Sequence, residues 1–95
     1  MSSIQLHSLQ VAIGSRSGLH ARPASQFVQA AARQPVKVTV GRPGQPSVDA
    51  RSLLSVLALA ARAGEVLELS AEGEQAREAV AALAEVLAAD HDAAA

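Results

Sequence analysis

Apolar residues along this chain recur first at every second position, then at every third or fourth, and the two spacings trade places to the end. Leu9, Val11 and Ile13 alternate with Ser8, Gln10 and Ala12, the period of a half-buried strand over residues 5–13, with His7 on its polar side. Gly14-Ser15-Arg16-Ser17-Gly18 is loop chemistry. Ala24, Phe27 or Val28, and Ala31 then fall at helical spacing, while Gln26, Gln29 and Arg33 take the opposite face; a helix over residues 21–33 is predicted, stopped by Pro35. Val36-Lys37-Val38-Thr39-Val40 alternates with β-branched residues and reads as a second strand. Gly41-Arg42-Pro43-Gly44-Gln45-Pro46 turns the chain into a short third strand around residues 47–49.

Ser52, placed just before an apolar helical run, predicts an N-cap, because its hydroxyl can accept from the exposed N–H groups of a first turn. The helix it opens is expected to fade at Arg62-Ala63-Gly64, where glycine can adopt the left-handed C-terminal conformation. A fourth strand over residues 65–72 places Val66 or Leu67, and Leu69, against charged neighbours. A third helix over residues 74–87 carries Ala76, Val80, Leu83 and Leu87 on one face. The predicted order is β-α-β-β-α-β-α.

With 95 residues the chain can bury one modest core, which is expected over residues 1–88, with residues 89–95 a flexible, alanine-rich tail. Phe27 is the only aromatic residue, so that core is aliphatic. The absence of cysteine excludes a disulfide framework and thiolate metal sites. A net charge of −1 leaves no basic footprint for nucleic acid. No apolar run is long enough to insert in a membrane and the first residues lack the pattern of a signal peptide, so a cytoplasmic monomer is expected.

The candidate chemistry lies in Gly18-Leu19-His20-Ala21-Arg22-Pro23-Ala24. Proline is tolerated in a first helical turn, so the helix is expected to begin at Ala21 with His20 as its N-cap, where N–H groups lack intrahelical partners. A phosphoryl group on the imidazole would meet those donors and the positive end of the helix dipole, with Arg22 adding a guanidinium fork and Ser17 a hydroxyl. His-x-Arg-Pro alone would be as compatible with an ordinary surface histidine.

The longer segment resembles the active-site signature of the HPr family, the histidine-containing phosphocarriers of the bacterial phosphoenolpyruvate:sugar phosphotransferase system. The resemblance implies an α+β open-faced β-sandwich, a four-stranded antiparallel sheet with three helices on one face. It implies that His20 is phosphorylated on Nδ1 by enzyme I, which draws on phosphoenolpyruvate, and hands the group to the A-domain of an enzyme II in sugar uptake. Arg22 is then the phosphate-stabilising residue. Such a protein is a covalent carrier and not a free-standing enzyme, and needs no cofactor or metal of its own.

Arg51-Ser52-Leu53-Leu54 resembles the family's second signature. In many low-GC Gram-positive members the equivalent serine is phosphorylated by HPr kinase/phosphorylase, so Ser52 carries two readings, helix cap and regulatory site, of which the cap is favoured by the residues themselves. The resemblance further implies buried Val56 and Leu59, and an exposed partner-binding patch of Leu53, Leu54 and Leu57 with Arg51, the His20 loop lying beside the start of the second helix. Compared with the family pattern the proline-rich turn at residues 42–46 is about one residue longer, and a local change in the hairpin is expected there.

Other readings compete with sugar transport. A regulatory carrier of the nitrogen-related or catabolite-signalling kind shares the fold and the histidine. A binding module without phosphotransfer would not need His20 and Arg22 together. A metal site from His7, His20 and His91 is the weakest, because their separation has no ligand spacing.

Overall fold

The computed structural model describes residues 5–90. Its elements are β1 (Leu6–Ala12), α1 (Ala21–Ala32), β2 (Val38–Gly41), β3 (Val48–Asp49), α2 (Leu53–Ala58), β4 (Val66–Glu72) and α3 (Ala76–Ala88), in the predicted β-α-β-β-α-β-α order. The four strands form one antiparallel sheet in the order β1-β4-β2-β3. β4, last in sequence, lies between β1 and β2, and its helix-facing residues Leu67, Leu69 and Ala71 are buried. Phe27 and Ala24 of α1, Val56 of α2, and Val80 and Leu83 of α3 close over them in a single core. The opposite face is polar, with Ser8 and Ser70 paired across β1 and β4 through their hydroxyls at 2.8 Å.

Strand parity corrects the reading of His7. It shares its side of β1 with Leu9 and Val11 and stands opposite Ala71, so it points to the helix-covered face and is half-buried. β1 is also less buried than its alternation suggested: as an edge strand it leaves Leu6 and Leu9 exposed.

The proline-rich connection forms a tight turn, closed by the Gln45 N–H donating to the Arg42 carbonyl at 3.0 Å. Pro43 occupies the position where its fixed φ fits, and Gly44 follows at φ +78°, the arrangement of a type II turn.

The second helix departs most from expectation. It ends at Ala58, with Leu59 as C-cap and Ala60 in the left-handed region at φ +50°, well before Gly64. Two causes are visible. The Leu59 and Ala60 N–H groups bond three residues back, to Val56 and Leu57, tightening the last turn. The Leu59 carbonyl then accepts from the Arg42 guanidinium at 2.8 Å, so a side chain from the turn after β2 satisfies the end of the helix. Residues 60–63 run on outside any helix or strand, as a wall that ends in a turn closed by the Glu65 N–H on the Arg62 carbonyl at 3.0 Å.

The third helix begins at Ala76 rather than residue 74, with Gln75 as N-cap, and buries Ala79 besides the four residues expected. Its C-terminal end is tied down further than the predicted tail would be. Gly14 N–H donates to the Leu87 carbonyl at 3.0 Å, the Ser15 hydroxyl to the Ala89 carbonyl at 3.4 Å, and Arg16 pairs with Asp90 at 3.1 Å. Residues 91–95, including His91, lie outside the described residues.

Candidate functional site

The loop after β1 bends at Gly18, at φ +84°, and delivers the chain to α1. Leu19 is buried and its N–H donates to the Ala61 carbonyl at 2.9 Å, which sews the loop to the wall that follows α2. His20 is the N-cap of α1, in extended conformation (φ −91°, ψ −165°), and its side chain makes no capping bond. The imidazole turns to Ser17, whose Oγ lies 2.5 Å from Nε2.

The first turn of α1 offers few donors of its own. Pro23 has no N–H, and the Ala24 N–H is bound to the His20 carbonyl at 2.8 Å, so the helix end presents the N–H groups of Ala21 and Arg22. They point along the positive end of the dipole, where an anion is favoured by roughly 0.3–1 kcal/mol.

His20 opens onto a cleft of about 550 Å³. Arg16 and Ser17 of the histidine loop line it together with Leu57, Ala60 and Arg62, from the end of α2 and the wall after it. Arg22 is exposed on the first turn of α1 and is not among the residues lining the cleft, whereas Arg16 and Arg62 are. His20 meets the C-terminal end of α2 and the wall after it, and Leu53 and Leu54, at the start of that helix, lie outside the cleft.

The second signature resolves into a corner. The Asp49 carboxylate accepts from the Arg51 N–H at 2.9 Å and from its guanidinium at 2.9 and 3.1 Å. These bonds, the side-chain one foremost, lower the Asp49 pKa to about 2. Ser52 is the N-cap of α2: its Oγ accepts from the Ser55 N–H at 3.3 Å, and its hydroxyl donates to Ser55 Oγ at 2.9 Å. Leu54 is 81% exposed and Leu53 40%, while Leu57 and Leu59 are half-buried against the core, so the apolar patch is narrower than expected. Val56 is fully buried, as the resemblance implied.

Sequence reasoning missed Arg16, Arg62 and the wall at residues 60–63. Reading a continuous helix to Gly64 hid the wall, and Ala60 carries no sequence mark of a left-handed stop. No group of three acidic or histidine side chains suited to a metal ion occurs among the described residues, and His91 lies beyond them. No helix among the described residues is long and apolar enough to cross a membrane.

Comparison with known proteins converges. The family profile described as "PTS HPr component phosphorylation site" matches residues 7–89. Phosphocarrier protein HPr of Pseudomonas aeruginosa is 45% identical over 80 residues, covering 84% of this chain and 89% of that protein. Phosphocarrier protein HPr of Streptomyces coelicolor is 43% identical over 79 residues, covering 83% and 85%. The crystal structure of a phosphocarrier protein HPr from Bacillus anthracis superposes with a TM-score of 0.79 at 33% identity, over 86% of this chain and 96% of that one.

Proposed function

The chain belongs to the HPr family, the phosphocarriers of the phosphotransferase system, and from that premise we propose that His20 is the residue that carries the phosphoryl group. The observation that supports this most is the 2.5 Å contact between Ser17 Oγ and His20 Nε2 at the mouth of a cleft lined by arginines. With Nε2–H donating to Ser17, the neutral ring holds its lone pair on Nδ1, the nitrogen the family phosphorylates. The Nδ1 lone pair forms the N–P bond as the bond from phosphorus to its donor breaks and the donor keeps that electron pair. Nε2 keeps its proton and its hydroxyl partner, so the charge that develops on the ring is met by an oxygen already in place.

Stabilisation of the carried group is modest by design of the site. Two helix N–H groups and an exposed guanidinium, that of Arg22, are each worth about a kilocalorie per mole or somewhat more, enough to hold a dianion and too little to trap it. Catalytic electrostatics therefore come from the partners. Enzyme I is the donor in this reading and an enzyme II A-domain the acceptor in sugar uptake, in the cytoplasm, with the protein a monomer. Leu53 and Leu54 beside half-buried Leu57 supply an apolar docking surface, exposed on a small domain where such residues usually mark a partner site. Arg51 acts chiefly on Asp49 and shapes the corner that presents Ser52. Phosphorylation of Ser52 by HPr kinase/phosphorylase would place a charge of about −2 beside that patch and weaken docking.

Incubation with enzyme I, magnesium and phosphoenolpyruvate, read by intact mass, tests the reading. One acid-labile phosphate is expected, absent from His20→Ala. A wild-type protein that gains no phosphate from active enzyme I would refute it.

A further inference from the structure

We propose that Arg62 is a second phosphoryl-binding residue, its guanidinium reaching the group on His20 from the segment after α2 that lines the same cleft; this rests on the phosphocarrier reading above. Two arginines line the cleft, Arg16 and Arg62. Arg16 is committed to Asp90, through Nε to Oδ2 at 3.1 Å and its N–H to Oδ1 at 3.3 Å. Glu65, the acid nearest in sequence to Arg62, is held by Arg42 through both carboxylate oxygens, one of them also accepting the Arg62 N–H at 3.0 Å. That pairing with Arg42 keeps the Glu65 carboxyl below the usual carboxylate range, with the Arg62 charge a smaller contributor. The Arg62 guanidinium itself has no side-chain partner among the described residues, and it lines the cleft that His20 opens onto. A cation left over at the mouth of such a cleft is matched by a dianion there.

The backbone that presents Arg62 is fixed on every side. Its N–H is on Glu65, its carbonyl accepts the Glu65 N–H at 3.0 Å, and Arg42 holds both Glu65 and the Leu59 carbonyl. One residue earlier, Ala61 binds the Leu19 N–H, which sets the distance to the histidine loop. Arg42 comes from the proline-rich turn after β2, so that turn, remote in sequence, helps to fix the segment that presents Arg62.

Binding by Arg62 forms no bond to phosphorus. It donates N–H groups to phosphoryl oxygens that the transfer leaves intact, and a charge-assisted contact of this kind predicts about a tenfold change in rate. The test uses phosphoprotein made in two ways, with enzyme I and phosphoenolpyruvate and with the small chemical donor phosphoramidate, for wild type, Arg62→Ala and Arg62→Lys. Phosphorus NMR then follows the pH titration of the phosphoryl group in each isolated phosphoprotein. For Arg62→Ala, acceptance from either donor is expected to slow about tenfold, and the phosphoryl titration midpoint to rise, because a nearby cation favours the dianion. Arg62→Lys should recover part of both. An unchanged midpoint in Arg62→Ala, with slowing confined to enzyme I, would make Arg62 a docking residue and overturn the proposal. Wild-type protein that accepts phosphate from neither donor would overturn the carrier reading, and the role of Arg62 with it.

Discussion

Replacing Gly18 by alanine tests whether the histidine loop is held by close backbone packing against the wall after α2. Two separate costs arise. At φ +84° an L-residue bears roughly 1–2 kcal/mol of strain. The new Cβ would also sit 2.8 Å from the Ala61 carbonyl oxygen, 3.2 Å from Arg62 Cα and 3.3 Å from the Ala63 nitrogen. All three are backbone atoms in a segment pinned by the Leu19 and Glu65 hydrogen bonds, so they cannot swing aside, and overpacking of this kind costs about 1–3 kcal/mol. Alanine stiffens the unfolded chain, which offsets roughly 0.4–1 kcal/mol. The net expectation is a loss of about 1–4.6 kcal/mol, centred near 3, which is roughly 12–24 °C in the thermal midpoint of a domain this size. Gly44→Ala is the matched control, since Gly44 has nearly the same φ, +78°, and nothing within 4 Å of the added atom. It should lose only about 0.5–1 kcal/mol. Circular dichroism melts of both variants give the comparison, and amide exchange at Leu19 reports the seam directly, with protection expected to fall in Gly18→Ala alone. Equal losses in the two variants would mean that the approach of loop to wall costs nothing, and the packing argument would be wrong.

Ala60 presents the opposite case: at φ +50° it bears strain that glycine would relieve, so Ala60→Gly should gain about 0.5–1 kcal/mol in urea unfolding after the entropy of the unfolded chain is counted. The Asp49 carboxyl has a folded pKa of about 2 against an ordinary 3.8, so its contribution is present above 3.8 and is lost as pH falls from there toward 2. Carboxyl carbon NMR should place its midpoint near 2 in wild type and return it upward in Arg51→Ala; because the pair is partly solvent-exposed, the stability change across that window should be only a few tenths of a kcal/mol. Leu54, 81% exposed, should tolerate glutamate with less than about 0.5 kcal/mol change in stability, while capture by enzyme I weakens; severe unfolding would show that the side chain is core.

Much of this protein was legible in its sequence because the relevant physics is local. Alternation and helical spacing mark every element, since apolar side chains must share a face to be buried together. Pro23 and Ser52 mark the starts of the first two helices, since a missing N–H and a short hydroxyl are each suited to a first turn. His20 as the N-cap follows from the same few residues. The tertiary structure decided what depends on distant partners. The left-handed turn at Ala60, which glycine would have announced, ends α2 where the Arg42 guanidinium takes the Leu59 carbonyl. His7 faces the helices because β1 pairs with β4 in a register set by Leu9 and Val11 lying opposite Leu69 and Leu67. Arg62 lines the cleft that His20 opens onto, although no spacing in the chain links the two, because Leu19 hydrogen-bonds a carbonyl 42 positions further on. The histidine and its near cations, Arg16 and Arg22, could be found from their neighbours in sequence, whereas Arg62 is brought there only by the seam to Leu19 and the chain end that Arg42 holds.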